Sequence, residues 1–276
     1  MGQKTNPNIL AIKQTNKWRS KWFVKKIYDN SIYIQRDSVV WSFIFNFFQT
    51  HQIIINNFSL FHLSETLQIF ISYYLSIEHY YNQKIKLVLK KHKLKHKTQI
   101  NHFLEQCFVS LLNFSHKKIN LFLVFQKLNN TFKVFITTKI KQLLKKNLVN
   151  LWKFKQVNLF ESSINLLIIF ISTKKSSNIL AKYIAINIEN LKQHNFFIWF
   201  IPKVLAILIQ NPISKIKKIK INIKGRLNGH PRANIKQVEI NKNTALLNFN
   251  CRINYTKKTA FNLNGTIGIK TWTHDL

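Results

Sequence analysis

The sequence predicts an α/β protein of two domains, and two observations near its C-terminal end carry that prediction. Residues 178–210 are apolar at helical spacing, which predicts one long helix or two helices divided near Pro202, since proline cannot donate within a helix. Strand candidates follow at residues 213–224, 232–241, 244–255 and 266–272. A long helix before four strands predicts a helical layer packed on a sheet.

The strand candidate at residues 213–224 has the clearest pattern. Ile219, Ile221 and Ile223 alternate with lysine and asparagine. Successive side chains of a strand point to opposite faces of a sheet. We therefore expect a half-buried strand whose outer face is basic.

Upstream elements are shorter. Residues 1–30 form a basic arm in which lysines and arginine alternate with aromatic residues, and residues 36–49 have helical periodicity. A short strand is predicted at residues 53–55, and Ser64 is a reasonable N-cap for a second amphipathic helix that runs through Leu75. Together these elements predict a helix, a strand and a helix within residues 36–78.

The middle of the chain, residues 79–178, is dominated by two basic amphipathic segments at 84–97 and 139–155. They flank an apolar, strand-like segment at 120–137. A charged run is usually a solvated face. Here almost no acidic residues stand beside the cations, which favours RNA-facing helices.

Charge limits the classes of function. The 276 residues contain 43 Lys and Arg against 9 Asp and Glu, a formal net charge of +34, while 46% hydrophobic residues suffice for a core. Such an excess destabilises an isolated fold by self-repulsion, so a polyanionic partner is expected. Nucleic acid is the first candidate and an anionic membrane surface the second.

Motifs at both ends of the chain resemble one family. The sequence GRLNG at 225–229 follows a strand, and Arg232 and the segment GTIGIKTW at 265–272 follow it. The first seven residues, MGQKTNP, precede Trp18 and Trp22. In this order the motifs resemble the C-terminal domain and the N-terminal signature of the small-subunit ribosomal protein three family. The resemblance covers about residues 1–75 and 180–274.

The resemblance implies a degenerate K-homology-like N-terminal domain with an insertion, plus a C-terminal helix-and-four-stranded-sheet domain. It divides the chain into a basic rRNA-binding arm (1–30), a degenerate K-homology-like segment (31–78), a lineage-specific basic insertion (79–178) and a C-terminal ribosomal α/β domain (179–276). It also implies a structural, non-enzymatic constituent of the small ribosomal subunit. Family members lie in the head of that subunit near the mRNA entrance.

The implied partners are small-subunit rRNA, neighbouring head proteins and mRNA at its entrance. Gly225 and Gly229 would let the backbone approach phosphates, and Gly265 and Gly268 fit a turn and a strand entry that any other residue would strain. The residues expected to bind rRNA, from the resemblance and from their charge, are Gly2, Gln3, Lys4, Asn6, Lys17, Arg19, Lys25, Lys26, Lys224, Gly225, Arg226, Gly229, Arg232, Lys257, Lys258 and Lys270.

Two departures from the family matter. The K-homology fold clamps nucleic-acid backbone with a G-x-x-G loop, yet no glycine stands between Gly2 and Gly225. The stretch that matches the family's basic helix face, residues 199–205, has only Lys203 as a cation. The lost loop, which plastid relatives usually keep, favours a mitochondrial ribosome. The start of the chain at the family signature favours synthesis inside that organelle.

Other classes of function have weaker support. The acidic residues are too few and too scattered for paired-carboxylate catalysis, and the glycines needed for a P-loop or dinucleotide site are missing. His92 and His96 have metal-ligand spacing but stand among lysines. We therefore expect no cofactor, no metal and no small-molecule substrate. The alternative is a basic, membrane-associated organelle protein, supported by aromatic-rich apolar runs beside polybasic segments.

Overall fold

The structure is a computed structural model. It describes residues 5–12, 16–24, 29–51, 53–63, 66–75, 105–107, 109–111, 120–129, 142, 146–147, 149, 151, 160–173, 177–191, 193–211, 214–241 and 252–275. The chain divides into two compact units: a smaller unit, Trp18–Lys127, and a larger unit, which combines Met1–Lys17 with Leu128–Leu276. The predicted segment boundaries at residues 30, 78 and 178 do not coincide with these units.

The smaller unit packs a helix on a four-stranded sheet. Helix α2 spans Asp29–Thr50, after the short helix α1 (Pro7–Leu10) of the larger unit. The sheet has the order β1-β2-β3-β4, in which β1 and β2 are parallel, β2 and β3 antiparallel, and β3 and β4 parallel. Its strands are Ser20–Lys21, Ile54–His62, Thr66–Tyr74 and Asn120–Lys127.

The core of the smaller unit follows from two periodicities. Val40, Ile44 and Phe48 are four residues apart, so they share one face of α2 and are 3%, 0% and 0% exposed. They pack against alternate residues of the sheet, such as Ile69 and Ile71. Each such apolar side chain contributes about 1.5–3 kcal/mol when it is fully buried.

The predicted helix from Ser64 through Leu75 is wrong, because Thr66–Tyr74 form strand β3. This strand is paired along both edges, with β2 and with β4. Leu67, Ile69, Ile71 and Tyr73 recur at every second position and face the core, whereas Phe70 lies on the opposite side. Pairing and burial therefore outweigh the local capping signal. The predicted helix, strand and helix are instead a helix and two strands, the first longer than the predicted 53–55.

Among its described residues, the larger unit packs three helices of 13 to 15 residues, besides the short α1, with a four-stranded antiparallel sheet. The helices are α3 (Phe160–Ser172), α4 (Ser177–Asn190) and α5 (Asn195–Ile209). The sheet order is β6-β5-β8-β7. Its strands in chain order are β5 (Ile216–Gly225), β6 (Asn234–Ile240), β7 (Ile253–Asn262) and β8 (Gly265–Asp275). This arrangement confirms the predicted helical layer on a sheet.

The predicted division of the helical region near Pro202 is wrong, because Pro202 lies inside α5. The helices separate earlier, where Leu191, Gln193 and His194 are non-helical. A proline in a helix interior costs about 3 kcal/mol. Helix α5 buries an apolar face that is large enough to offset this cost. The face consists of Phe197, Phe200, Ile201, Val204, Leu205, Leu208 and Ile209.

Three of the four predicted C-terminal strands are confirmed as β5, β6 and β8. The fourth, predicted at 244–255, begins at Ile253 within the described residues and extends to Asn262. The strand predicted at 120–137 is confirmed as Asn120–Lys127, and residues 128–129 are helical. The basic segment 84–97 lies outside the described residues, as does most of 139–155.

The glycines of the C-terminal motifs have different structural roles. Gly265 has φ +117°, a region that L side chains rarely adopt, where the β7–β8 turn ends. A Cβ on Gly225 would lie 2.8 Å from Cγ1 and 3.0 Å from Cα of Ile267. Gly268 was expected to be equally constrained, and this is wrong: its φ is ordinary and a Cβ there would lie 3.8 Å from the nearest atom, the Lys224 oxygen.

We expect Gly225→Ala to lower the free energy of unfolding by about 1–3 kcal/mol, because the added methyl group overpacks the β5–β8 contact. Gly268→Ala is the matched control in the adjacent strand. We expect it to be neutral or to stabilise the chain by up to about 1 kcal/mol, since alanine orders more cheaply than glycine. Urea denaturation followed by circular dichroism measures both. Equal midpoints for the two variants would contradict this account of Gly225.

Candidate nucleic-acid interface

The sheet of the larger unit has one face against helices and one outer face. On the helix side, the hydroxyls of Thr256 and Thr271 donate to the carbonyl of Ser177 in α4, at 3.0 and 3.3 Å. Ile219, Ile221 and Ile223 of β5 alternate onto the same buried side. The opposite side, here called the outer sheet face, carries Lys220, Asn222, Lys224, Gln237, Glu239, Tyr255, Lys257, Lys270 and Trp272.

The outer sheet face brings three predicted rRNA-binding residues together. Lys257 of β7 is paired in register with Lys270 of β8, and Lys270 is paired with Asn222 of β5. Lys224 lies one pair further along, opposite Gly268. Like charges directly opposite each other destabilise a sheet. An anionic ligand across these strands would remove that repulsion.

One carboxylate lies on the outer sheet face among the described residues. Glu239 accepts a salt bridge from Lys220 at 2.6 Å, and this hydrogen bond lowers the pKa of Glu239. Within the described chain, no salt bridge neutralises Lys224, Lys257 or Lys270. The face therefore keeps a positive potential that attracts phosphates.

An aromatic pair stands among these lysines. The rings of Tyr255 and Trp272 are 5.1 Å apart, and Nζ of Lys220 is 5.9 Å from the Trp272 ring centre. Burial raises the pKa of the Tyr255 hydroxyl, which keeps it neutral and able to donate a hydrogen bond. Aromatic rings beside cations match the stacked bases and phosphates of RNA.

The GRLNG loop leaves the end of β5 and exposes the predicted arginines. Arg226 is exposed, and its Nε donates to the carbonyl of His230 at 3.0 Å. Arg232, two residues after His230, is also exposed. Asn228 and Gly229 have φ of +54° and +72°, a left-handed turn that favours asparagine and glycine. Gly225 itself is buried against Ile267, which explains this glycine by packing.

His194 anchors this loop, a residue that sequence reasoning missed. The backbone N–H of Asn228 donates to Nδ1 of His194 at 3.1 Å, and the N–H of His194 donates to Oδ1 of Asn228 at 2.6 Å. Because Nδ1 accepts, the ring proton lies on Nε2, where it donates to the Ile188 carbonyl at 3.1 Å. The loop is thereby fixed to the gap between α4 and α5. No local motif signals this role.

The N-terminal segment lines the edge of the sheet. The Nδ2 of Asn8 donates to the Tyr255 carbonyl at 2.6 Å, and its Oδ1 accepts from the Tyr255 N–H at 2.9 Å. Asn16 donates to the carbonyl of Ile253. Asn6, predicted to bind rRNA, caps α1 by accepting from the N–H of Asn8. These contacts cover part of the free edge of β7, which guards it against pairing with another chain.

The remaining predicted residues are scattered. Gly2, Gln3, Lys4, Lys25 and Lys26 lie outside the described residues. Lys17 and Arg19 are exposed, and the Arg19 carbonyl accepts from Leu60 in the smaller unit. Lys258 lies on the helix side of β7, because its neighbour Lys257 faces outward. The structure therefore separates Lys258 from the outer sheet face.

Other kinds of site find little support among the described residues. No group of three His, Cys, Asp or Glu side chains there could hold a metal ion. Cys107 is buried in the core of the smaller unit, and burial raises its pKa to about 12, so the thiol stays protonated. None of the described helices combines the length and apolar character needed to span a membrane.

The chain matches no protein-family model and no curated protein sequence.

On the helix side of the sheet, Lys258 lies near the half-buried Lys182 of α4 and affects its pKa. Burial, and then the charge of Lys258, lower the pKa of Lys182 from 10.5 to about 8, while Glu189 acts in the opposite direction. Between pH 8 and 10.5 the unfolded chain therefore binds more protons at this position than the folded chain. Hence this lysine makes the free energy of unfolding rise with pH across that window.

We expect Lys182→Met to be more stable than the parent chain at pH 7, with a difference that shrinks by pH 10. Urea denaturation midpoints at the two pH values measure this difference. Exposed Lys257→Met controls for removal of a lysine charge. A stability difference that does not change with pH would show that Lys182 is not the group responsible.

Proposed function

We propose that the chain is a structural constituent of the small subunit of the mitochondrial ribosome, where it binds small-subunit rRNA in the head near the mRNA entrance. The observation that carries the proposal is the outer sheet face, with Lys224, Lys257 and Lys270 beside the Tyr255–Trp272 pair. Two of the motifs that resemble the ribosomal family lie at this face: GTIGIKTW at 265–272 belongs to β8, and GRLNG at 225–229 begins at the end of β5. On this proposal the protein has no catalytic role, and its partners are rRNA, neighbouring head proteins and mRNA at the entrance.

The binding mechanism is electrostatic and geometric. Each phosphate neutralised by a lysine releases condensed counterions. The logarithm of the association constant therefore falls with the logarithm of the salt concentration, with a slope of about 0.7–0.9 per contact. Neighbouring strands lie about 4.7–4.9 Å apart, and the register sets Lys257 directly beside Lys270 on the adjacent strand. Because they project from a paired sheet, little backbone ordering is required on binding. The exposed Arg226 and Arg232 extend the positive surface beyond the strand ends.

The smaller unit fits the proposal as a degenerate K-homology-like module. It packs a helix on a sheet, as an α/β RNA-binding module would. The missing glycines leave it without a standard backbone-clamping loop. The proposed rRNA contact of the larger unit therefore does not depend on that loop.

A membrane-associated protein is the alternative, and the polybasic composition favours it in part. Peripheral attachment would use an amphipathic surface with cations around an apolar stripe. The outer sheet face has polar Asn222 and Gln237 between its lysines, and its exposed apolar residues, Ile235 and Phe261, lie on its two edge strands and form no continuous stripe. The two cases are distinguished by separating ribosomal subunits from membranes and then measuring, as the salt concentration rises, from which fraction the chain is released.

The proposal predicts that the tagged chain sediments with small ribosomal subunits of detergent-solubilised mitochondria. We expect Lys224→Gln/Lys270→Gln to dissociate at lower salt than the parent, because about two phosphate contacts are lost. Lys215→Gln/Lys236→Gln is the matched control: both lysines are exposed and lie off the outer sheet face. The same salt profile for both double variants would contradict the assigned face, and a chain absent from the subunits would contradict the function.

A further inference from the structure

The smaller unit has a second exposed surface, at one end of the side of its sheet that faces away from α2; toward the other end of that side, Ser72 and Tyr74 are buried. Strand alternation puts Leu67, Ile69 and Ile71 of β3 into the core, so Gln68 and Phe70 point the other way. In β4, Phe122 and Val124 point to the same side as Gln68 and Phe70, with which they are paired. This side carries large apolar groups at the surface: Phe70 is 38%, Val124 46% and Phe122 55% exposed.

One row of side chains crosses all four strands of this surface. The strand register pairs Lys21 with Phe61, Phe61 with Gln68, and Gln68 with Phe122. The row thus runs cation, aromatic ring, amide, aromatic ring. Lys21 Nζ is 5.7 Å from the Phe61 ring centre. We name this surface, made of Lys21, Phe61, Gln68, Phe70, Phe122 and Val124, the phenylalanine platform.

We propose that the phenylalanine platform binds single-stranded RNA by stacking bases on Phe70 and Phe122. Exposed aromatic rings on adjacent strands of an open sheet can each receive an unpaired base, and every base offers a π-face. Gln68 is paired with Phe122 and stands two residues before Phe70 on β3, so it offers an amide donor and acceptor to the edge of a base stacked on either ring. Lys21, at the end of the row, would receive a phosphate.

Charge argues for a nucleic acid over a protein partner at this surface. The four strands contain no Asp or Glu, so no acidic side chain on them would repel a phosphate backbone. Arg19 stands two residues from Lys21 and is exposed. Phe61 meets Phe70 edge to face, with centroids 5.5 Å apart and planes at 86°, which fixes the Phe70 ring for stacking.

This second contact goes beyond the proposed function and stands apart from it. The platform offers two exposed phenylalanine rings and one cation, whereas the contact tested on the outer sheet face of the larger unit is the neutralisation of phosphates by Lys224 and Lys270. The platform also differs from a backbone clamp, since it requires no glycine loop. Either surface can therefore fail its test while the other succeeds.

The test compares two probes with the full chain: a single-stranded RNA of about ten nucleotides, and an abasic ribose-phosphate chain of equal length and charge. We expect Phe122→Ala to weaken binding of the RNA about 5- to 150-fold and to leave binding of the abasic chain unchanged. Phe122→Trp should preserve RNA binding, because indole also stacks. Phe196→Ala, at a phenylalanine of the larger unit that is 45% exposed, is the matched control and should change neither affinity.

Equal affinities of Phe122→Ala and the parent for the base-bearing RNA would overturn the platform. So would a loss of small-subunit association in Phe122→Ala without any change in RNA affinity, because that result assigns the surface to a protein partner. The outer sheet face is unaffected by either result. The outer sheet face is tested separately with Lys224→Gln/Lys270→Gln. This double variant should weaken the binding of both probes to a similar extent, and unchanged binding of both would contradict the outer sheet face.

Discussion

The antiparallel pairing of β5 with β8 is the constraint on which the larger unit depends. It places Ile221 and Ile223 of β5 opposite Thr271 and Ile269 of β8 on the buried side. The same register necessarily puts Lys220 and Lys224 on the other side, since strand side chains alternate. A slip of one residue would bury the lysines and expose the isoleucines. The hydrophobic core and the basic surface therefore have a single cause.

That constraint explains how so basic a chain can fold. With a net charge of +34, folding concentrates like charges that unfolding would separate. The sheet of the larger unit limits this repulsion in two ways. Most of its lysines are exposed to solvent, and Lys220 forms a salt bridge with Glu239. Lys182 is an exception: it is half-buried near Lys258, and its lowered pKa reflects the cost. A bound polyanion would relieve the repulsion that remains on the outer sheet face.

Much of this architecture follows from periodicity alone. Strand β5 was predictable because its isoleucines and lysines alternate, and α2 because Val40, Ile44 and Phe48 recur every four residues. Strand β3 was not, because burial of Leu67, Ile69 and Ile71 depends on neighbours that lie elsewhere in the sequence. Pro202 likewise suggested a break that the packing of α5 overrides.

Parts of the candidate site depend on contacts between distant residues, and sequence patterns do not reveal such contacts. Lys224, Lys257 and Lys270 were predicted from motif and charge, and the sheet register brings them together. Lys258 was predicted with them, although alternation sends it to the helix side. His194 was missed because its role depends on Asn228, which is 34 residues away. Asn8 was missed because its partner Tyr255 lies near the other end of the chain.

Ultraviolet crosslinking in intact mitochondria, with sequencing of the attached RNA and mapping of the crosslinked residues, tests the central claim most directly. The account predicts small-subunit rRNA attached at the outer sheet face, at Tyr255, Lys257, Lys270 or Trp272, and around Arg226 and Arg232. Recovery of no RNA, with the protein retained in the membrane fraction after a high-salt wash, would contradict it.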